Sequence, residues 1–592
     1  MEGAPTWDLE SICPDGPGGT AFKTRRTALA GRLESLHGRI RRLGGLTDDA
    51  EDWSSAVLDL DPLLAAIVEL NMLAGCAEAA DSRSPEIRAA RAASGELMRA
   101  MNAIQVDLEA SLSEEDQAAF DAWIDRPELQ PAAAWLRFLR ASATLRLPRA
   151  EQALHVAMNR ESLKGWGSLY ELMSGDLEAT VALPSGPRTM GVAEAAAMRA
   201  DPDSAVRRAA HEAGATAWRS VESICAHTLT QITGARQQFQ DRVGIDELAE
   251  SLHSNRLQRS TLDALWAGAD AARPALVKYL QRKATLLGTD RLEWSDRDAP
   301  LPTKSDSTLD WGAARRLIVD ALGGFHPDLA AFANRALDNR WVDAEPRDGR
   351  RPGGFCAPFP ESGESRIFMT FTGSMDNGIT LAHELGHAWH NEVLSTLPMY
   401  RKRITSALAE TASTFAEATV RDRVLRAAPD PAYRAFMLDQ ELQAAMTFCM
   451  DIPARFRFER RLFALRRDGL LNPEQLSEEM VSAQRAGYGE GLGSYSPTFW
   501  CSKLHFYIPE FGFYNWQYTF GYLFSAAVYA RAAQEGPAFL PTLEGLLRRT
   551  GWQDTEELAY EALGVDLTDP GFWIQTAAPI TQRVEDFLEA TA

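Results

Sequence analysis

The sequence predicts a mainly α-helical protein with two or more lobes and a small β-sheet. The chain has 592 residues, and single hydrophobic cores stop growing at about 250–300 residues, so more than one lobe is expected. Stretches such as 58–110, 190–245 and 258–288 are rich in Ala, Leu, Glu and Arg and repeat apolar residues every three or four positions, as amphipathic helices do. The clearest strand candidate is RIFMTFT (366–372), because of its β-branched and aromatic residues.

Segments rich in Pro, Gly or Asp predict where the helical elements are interrupted. They are 183–191, 291–312 and 345–365. The first of them separates a predicted N-terminal helical lobe (1–190) from a predicted larger domain (191–592). The first twenty residues are expected to form a loose tail.

Composition and charge exclude several classes of function. The net charge is −21, which argues against nucleic acid or an anionic membrane surface as the main partner. No run of about 18 uncharged apolar residues occurs, so no membrane span is predicted. The start, MEGAPTWDLESICPDG, lacks the features of a signal peptide. The six cysteines are scattered without a C-x-x-C pair, which is typical of reduced thiols and favours the cytoplasm.

The stretch GITLAHELGHAWHNEV (378–393) contains the pattern H-E-x-x-H as His383, Glu384 and His387. On a helix, positions i and i+4 lie about 40° apart and one turn along the axis, so both imidazoles can bind one metal ion. Glu384 lies about 100° around the helix from His383 and can reach a water at the metal without being a ligand. The alternative interpretation is a solvated polar face or two core histidines.

A catalytic zinc needs three protein ligands and one open position. On the same helix, His390 lies about 10.5 Å along the axis from His383 and fits a tetrahedral centre poorly. Glu392 lies on the opposite side of the helix from His387 and is rejected. The third ligand is therefore expected outside this helix.

A second helix is predicted over 404–425, ITSALAETASTFAEATVRDRVL. Glu410 and Glu417 lie on one face of it, because seven residues return to within about 20°. One of the two glutamates is expected to face the metal. Glu417, placed behind the ligands, would accept a hydrogen bond from a ligand imidazole and fix its tautomer, although it is also interpretable as an ordinary surface charge.

TLAHELGHAWH, followed by ALAETASTFAE 27 residues after His383, resembles the M3 family of zinc metallopeptidases, and within it the oligoendopeptidase F branch. The resemblance implies one zinc ion per chain, bound by His383, His387 and Glu410. His390 belongs to the family pattern and is not a ligand there. LLGTDRLEWSDRDAPLP (286–302) is also similar to that branch.

The resemblance covers residues 200 to 585 well and the N-terminal lobe only in general helical character. It implies a mostly helical, two-lobed molecule with the metal at the bottom of a deep central cleft that excludes folded proteins. Two other zinc peptidase patterns fit less well. The metzincin pattern needs Gly at position 390 and His at position 393, where His390 and Val393 stand. The thermolysin type needs Asp four residues after Glu410, where Thr414 stands.

The function predicted from these residues is zinc-dependent hydrolysis of short unfolded peptides by an endopeptidase. Zinc lowers the pKa of bound water towards about 7, and Glu384 is expected to act as the general base and then to protonate the leaving amine. His and carboxylate ligands do not select zinc alone, so another divalent metal remains compatible. The strand RIFMTFT is expected to offer an exposed edge that pairs with an extended substrate.

The segment 499–524 contains twelve aromatic residues. A core helix explains Trp516, Phe520 and Phe524 but not His505. In the M3 family, a His and one or more Tyr from this region reach over the zinc and hydrogen-bond the developing oxyanion. The resemblance implies these roles for His505 and Tyr514, with Tyr518, one turn further on, as the alternative donor.

Two other functions compete with the endopeptidase. A dipeptidyl carboxypeptidase would need a cationic side chain fixed in the cleft to hold a terminal carboxylate, and the sequence identifies none. A helical binding protein without catalysis would retain the motif only as a relic. Hydrolysis of a quenched peptide blocked at both ends, with and without chelator, separates the three.

Overall fold

The computed structural model describes residues 3–302, 308–428 and 430–592, and only the backbone of residues 149, 150 and 153. Most of the described residues are helical. The helices of the first half are α1 (Thr20–Ile40), α2 (Ala50–Ala80), α3 (Pro85–Glu114), α4 (Gln117–Ile124), α5 (Ala133–Ala143), α6 (Arg149–Asn159), α7 (Leu163–Asp176), α8 (Val192–Ala197), α9 (Ser204–Ser220), α10 (Glu222–Val243), α11 (Ala249–Ser254) and α12 (Arg259–Leu286). Those of the second half are α13 (Trp311–Phe325), α14 (Pro327–Asp338), α15 (Met375–Leu394), α16 (Thr411–Arg426), α17 (Pro431–Met446), α18 (Ile452–Arg466), α19 (Pro473–Tyr488), α20 (Phe499–Ser502), α21 (Trp516–Glu535), α22 (Leu540–Leu547), α23 (Thr555–Leu563) and α24 (Pro570–Ala590).

The chain divides into two compact units, each built from three separate segments. The first contains the described residues of Met1–Thr144, Asp306–Arg426 and Phe524–Gly564. The second contains those of Leu145–Ser305, Ala427–Leu523 and Val565–Ala592. The expected boundary between the lobe 1–190 and the domain 191–592 falls inside the second unit. The division of the chain into these two domains stays a prediction. Of the predicted interruption at 291–312, residues 303–307 lie outside the described residues.

The β-structure of the described residues is small, as predicted. Within the residues that the structure describes there are five strands, β1 (Glu178–Leu183), β2 (Gly186–Gly191), β3 (Val342–Asp343), β4 (Phe355–Phe359) and β5 (Glu364–Phe368). In the second unit β1 and β2 form an antiparallel hairpin. In the first unit the order is β3-β5-β4, with β3 parallel and β4 antiparallel to β5. This three-stranded sheet packs against both α2 and α15.

Two expectations about this sheet were wrong. The predicted strand 366–372 is shorter and earlier, at Glu364–Phe368, and it is the central strand, so it has no free edge. Its flanking strand β3 was not visible in the sequence because it is two residues long and pairs across more than twenty residues of chain. The edge strand that packs against α15 is β4, which in the described part of the chain pairs with β5 alone.

The N-terminal segment is not loose. The amide of Ala344 donates to the carbonyl of Pro5 at 2.8 Å, and the amide of Asp8 donates to the carbonyl of Arg340 at 3.0 Å. Trp7 is buried, with its ring 5.8 Å from that of Phe368. The segment therefore covers the β3 side of the sheet, and the prediction of a loose tail was wrong.

The helix α2 is the one described helix that is long and apolar enough to cross a membrane by length and composition, although 61% of the 18-residue window concerned is buried inside the protein. Its apolar residues, among them Ile67, Leu70 and Leu73, belong to a core with the neighbouring helices and with Phe359 and Phe368 of the sheet. This burial explains the apolar composition as that of a core helix.

Candidate metal centre

The helix α15 presents the H-E-x-x-H residues, and its start is fixed by a capping box. The Ser374 side chain accepts a hydrogen bond from the Asn377 amide, and the Asn377 side chain accepts one from the Ser374 amide. The Asn377 side chain also accepts a bond from the amide of Thr372 at 2.7 Å, which ties the helix to the chain leaving β5. These bonds satisfy amides that a helix start otherwise leaves without partners. The rotation of α15 is thereby fixed.

The helix α16 brings the third donor beside α15. It begins at Thr411 and not at residue 404 as expected, so Glu410 stands just before its first residue, and the Glu410 carbonyl accepts from the Thr414 amide at 2.9 Å. A Cβ atom on Gly386 would lie 2.6 Å from both the Ala412 carbonyl oxygen and the Ser413 Cα. Only glycine between the two histidines permits this close approach of the helices.

The structure brings together His383, His387 and Glu410, with one possible ligand atom of each lying within 4.8 Å of the others. The Glu410 Oε2 atom lies 3.2 Å from His383 Nε2 and 3.3 Å from His387 Nε2. Donors bound to tetrahedral zinc at about 2.0–2.1 Å lie about 3.3–3.4 Å apart. The spacing and the types of these donors therefore fit a zinc-sized ion.

Glu417 lies behind the three donors, where the sequence predicted an acceptor. Its Oε2 atom is 3.3 Å from His383 Nδ1, which leaves Nε2 facing Glu410. Arg421 donates to the other Glu417 oxygen at 2.9 and 2.8 Å. Burial raises the pKa of Glu417, but His383 and Arg421 outweigh it and hold that pKa below its usual value. A charged acceptor of this kind fixes the ring orientation and tautomer of an imidazole.

Charge around the two histidines is strongly negative. Burial would lower the pKa of His383, but its hydrogen bonds to Glu410 and Glu417 raise that pKa to about 10. Burial likewise raises the pKa of Glu410, and His383 and His387 more than offset this, so the pKa of Glu410 lies far below its usual value. A site with this preference for positive charge suits a divalent cation.

Glu384 occupies a different environment from the three donors. It is 5% exposed, and its Oε2 atom has no hydrogen-bond partner among the described residues. Its Oε1 atom lies 3.3 Å from where a Cβ of Gly354 would stand, so the start of β4 runs directly beside the carboxylate. Burial, the largest influence, raises the pKa of Glu384 above its usual value. A buried carboxylate with a free oxygen is suited to accept and return a proton.

The remaining acidic and imidazole candidates on α15 lie away from these donors. His390 is 1% exposed, and its Nε2 atom lies 3.0 Å from Thr550 Oγ1 and 3.3 Å from the Leu547 carbonyl oxygen. Burial lowers the pKa of His390 to about 4, so it is a neutral core histidine. Glu392 forms an ion pair with Arg335 at 2.7 Å.

The aromatic segment forms a cluster within the second unit. His505 Nε2 lies 3.5 Å from the Tyr518 hydroxyl, and its ring centre lies 6.1 Å from that of Tyr514. The rings of Tyr514 and Tyr518 are 5.7 Å apart. Burial, and then Arg455 and Lys503, lower the pKa of His505 to about 4. The structure thus groups the three residues predicted for the oxyanion.

The same segment contains the predicted core residues. Trp516, Phe520 and Phe524 on α21 are fully buried, which confirms their interpretation as core. Tyr507 stacks on Tyr170 with ring centres 3.7 Å apart, so it belongs to this interior and not to the His505 cluster.

Three residues beside the site were missed in the sequence. Arg421 lies four residues after Glu417, a spacing at which helical side chains meet, and this signal was present. Gly386 stands between the histidines, where a glycine inside a helix indicates close packing. Gly354 belongs to a Pro- and Gly-rich stretch that was treated as an interruption, and nothing in its composition indicated contact with Glu384.

Comparison with known proteins agrees with the resemblance seen in the motifs. Residues 323–578 match the model of peptidase family M3. Oligopeptidase PepF of Bacillus subtilis is 24% identical over 371 residues, which are 62% of this chain and 54% of that protein. The chromosomal oligoendopeptidase F of Lactococcus lactis subsp. cremoris is 26% identical over 330 residues, which are 54% of this chain and 53% of that protein. The chain spans about half the length of the curated relatives it matches.

Solved structures share the fold over nearly the whole chain. A candidate peptidase from Chlamydophila abortus has a TM-score of 0.82 at 18% identity, covering 100% of both chains. Oligoendopeptidase-F from Enterococcus faecium has a TM-score of 0.71 at 17% identity, covering 96% of this chain and 98% of that one. The matched segment 323–578 contains His383, Glu384, His387 and Glu410. The resemblance of this chain to peptidase family M3 therefore rests on residues 323–578, and the relatives described above bear oligopeptidase and oligoendopeptidase F names.

Proposed function

We propose that the protein is a zinc-dependent endopeptidase that hydrolyses short unfolded peptides, with one zinc ion held by His383, His387 and Glu410. The observation that carries this proposal is the convergence of three donors, with Glu410 Oε2 at 3.2 and 3.3 Å from the two imidazoles, on the helix that carries the buried, partly unpaired Glu384 carboxylate. The family and its oligopeptidase relatives support peptide hydrolysis as the reaction.

The chemistry assigned to this chain follows from Glu384. A bound zinc ion supplies a Lewis acid and lowers the pKa of water from about 15.7 towards 7. Glu384 takes the proton of the attacking water with its free oxygen and passes it to the leaving amine. The raised pKa of Glu384 suits both directions of transfer, because a general acid–base works best when its pKa lies near the operating pH.

We assign His505 and Tyr514 as donors to the developing oxyanion, with Tyr518 as the alternative. The ring contacts among the three and the lowered pKa of His505 support this, since a neutral imidazole and a phenol both donate hydrogen bonds. The contact between Tyr518 and His505 makes Tyr518 a stronger alternative than the sequence alone suggested.

We assign the edge of β4, and not that of the central strand β5, as the place where the substrate backbone pairs. The outer side of β4 is unpaired in the described chain, and β4 begins at Phe355, directly after Gly354, which lies beside Glu384. An extended peptide that adds a strand here would present its carbonyls near that carboxylate. Depsipeptides with one ester at a non-scissile position should bind worse at one or two positions, whereas uniform binding would argue against strand pairing.

The partners we propose are short peptides, with neither nucleic acid nor membrane, and the location we propose is the cytoplasm. The net charge of −21 and the six scattered cysteines support these assignments. Of the described cysteines, all six are unpaired.

The decisive experiment uses an internally quenched peptide blocked at both ends. We expect cleavage inside the peptide, loss of cleavage with a chelator, and recovery on addition of zinc. Cleavage only of peptides with a free C-terminus would instead support the dipeptidyl carboxypeptidase, and no cleavage of any peptide would support a binding protein.

Metal analysis tests the ligand set separately. Glu410→Gln should bind zinc weakly or not at all, because it removes the charged donor shared by both imidazoles. His390→Ala on the same helix should keep about one zinc per chain, since His390 lies against Thr550. The reverse pattern would refute the assignment.

A further inference from the structure

A small cavity lies entirely within the second unit and is lined by residues of α8, α9 and α20 and of the segments beside them. Its volume is about 60 Å³, which has room for several water molecules or one small ion but not for a segment of peptide. The rings of Trp218, Trp294 and Phe499 form apolar walls. The polar residues that line it are Arg199, His211, Ser496, Thr498 and Ser502. Of the described residues that line the cavity, none is acidic.

Several polar groups of this cavity have no partner in the protein. Ser496 is 4% exposed and Thr498 is 5% exposed, and neither hydroxyl forms a hydrogen bond with the described residues. The same holds for the imidazole of His211 within the described chain. Partial burial, and then Arg199, lower the pKa of His211, so the ring is neutral and carries one N–H donor. Because buried polar groups usually have hydrogen-bond partners, these groups indicate a place for a ligand that accepts hydrogen bonds.

Arg199 supplies a positive charge at the cavity itself. Its Nε atom lies 3.2 Å from Asp298 but makes no hydrogen bond there, and the guanidinium forms none with any other described residue. Asp298 is also shared, because it lies 3.4 Å from Arg297. A guanidinium has five N–H donors in a planar fork, which suits bidentate binding of an oxyanion. The fork of Arg199 therefore retains donors for a ligand in the cavity.

The ion pairs behind the cavity do not balance in charge. Asp451 pairs with Arg297 at 3.1 Å and also with Arg455. Asp298 pairs with Arg199 and Arg297, so two carboxylates serve three guanidinium groups among the described residues. Asp451 is 1% exposed, and Arg297 and Arg455 are each 7% exposed, so water screens these charges little. The guanidinium groups alone leave one positive charge in excess.

Lys503 adds a second positive charge beside the cavity. Its Nζ atom lies 5.2 Å from the ring centre of Phe499, which lines the cavity, and it has no ion pair in the described chain. Burial, and then Arg455, lower the pKa of Lys503 to about 7, and Asp451 opposes this only in part. Charge away from water is costly unless a partner of opposite sign is supplied. With Lys503 protonated, an anion of charge −2 balances the group.

We propose that this cavity binds one small tetrahedral dianion, of the class of inorganic phosphate and sulfate, with Arg199, His211, Ser496 and Thr498 as its donors. Each of the four can donate hydrogen bonds, and the volume of the cavity limits the ligand to a few non-hydrogen atoms. The overall charge of −21 repels anions in general, so the local excess of positive charge gives the selectivity. The inference concerns the second unit alone and depends neither on zinc nor on peptide hydrolysis.

The test measures the binding of labelled inorganic phosphate to the full-length protein by equilibrium dialysis at constant ionic strength. We expect one phosphate per chain that stays bound after zinc is removed with a chelator. Arg199→Met should weaken its binding by about ten- to hundredfold, the effect of hydrogen bonds between charged groups. Arg199→Lys keeps the charge but loses the planar fork, so it should retain part of the affinity. Sulfate should displace the phosphate at similar concentrations, whereas chloride and acetate should require much higher ones.

Two further variants separate the cavity from a general effect of charge. Ala215→Leu places a larger apolar side chain at a position of α9 that lines the cavity, so it should abolish phosphate binding without removing a charge. Arg467→Met removes an exposed arginine of the same unit, which pairs with the exposed Asp241, and should bind phosphate as the wild type does. Circular dichroism and thermal unfolding show whether each variant is folded, and Ser496→Ala, a smaller change, should lower the affinity several-fold.

Four results would overturn the proposal. They are a wild-type protein that binds no phosphate, a phosphate that is lost together with zinc, binding that survives both Arg199→Met and Ala215→Leu, and an equal loss in Arg467→Met. Chloride that displaces phosphate as readily as sulfate does would assign the cavity to a monoanion and contradict the dianion. Tighter binding of phosphoserine than of inorganic phosphate would contradict a site limited to a small free ion.

Discussion

His383 of α15 and His505 of the aromatic segment are placed in opposite electrostatic environments. His383 lies between the carboxylates of Glu410 and Glu417, which raise its pKa to about 10. His505 lies near Arg455 and Lys503, and its pKa falls to about 4 through burial and these cations. The first environment favours a bound cation, and the second favours a neutral ring near a negative charge. The neighbouring charges therefore give the same residue type a raised pKa in one place and a lowered pKa in the other.

The largest expected effect concerns Glu384, the residue after His383 on α15. Glu384→Gln should reduce turnover by orders of magnitude while zinc stays bound, because the proton carrier is lost and the three ligands are kept. Turnover and zinc content of the purified variant measure this. Glu392→Gln, on the same helix but paired with Arg335, is the matched control and should be near wild type. Near-normal turnover of Glu384→Gln would remove it from the mechanism.

The next largest effect is expected at Tyr514, whose ring lies against His505. Tyr514→Phe should lower turnover by about a hundred- to thousandfold, the effect of removing one donor to an oxyanion, with little change in substrate affinity. If Tyr518→Phe shows this loss instead, the donor is one turn further along. Tyr560→Phe, at a 69% exposed tyrosine, is the control. If neither Tyr514 nor Tyr518 matters, the aromatic segment contributes packing only.

A smaller effect is expected at Glu417, which contacts His383. Glu417→Gln removes the charged acceptor of His383, and changes of this kind weaken metal binding by about 10–100-fold. Zinc competition with a fluorescent chelator gives the affinity. Glu441→Gln, at a half-buried glutamate that pairs with Arg583, is a control outside the site. Unchanged zinc affinity of Glu417→Gln would make Glu417 an ordinary helix charge.

The smallest effect concerns the contact between α15 and α16. Gly386→Ala would force the helices apart, and overpacking of this kind costs about 1–3 kcal/mol of unfolding free energy. Because Glu410 stands at the start of α16, zinc affinity should fall as well. At Gly378 on the same helix, an added methyl group meets only the end of the Leu309 side chain, which can move. Thermal unfolding and zinc affinity should therefore change less for Gly378→Ala, and equal effects would contradict this account.

Local regularity explains which features could be predicted from the sequence. Helix geometry brings together residues four apart, such as His383 and His387, and residues seven apart, such as Glu410 and Glu417, and these four residues meet as expected. The edge of the sheet and the packing of Trp7 depend on partners far along the chain. No local pattern specifies such partners, so the strand 366–372 was expected at an edge although it is central.

The three-segment construction of each unit has a consequence for biosynthesis. The first unit needs residues up to Gly564 and the second needs residues up to Ala592, so neither can complete its contacts while most of the chain is being made. Contacts between distant segments close slowly, and the exposed apolar faces of the early helices are prone to aggregate before their partners emerge from the ribosome. Expression of 1–190 or 191–592 alone should therefore yield incomplete units that depend on chaperones, whereas the full chain acquires both cores only near the end of translation.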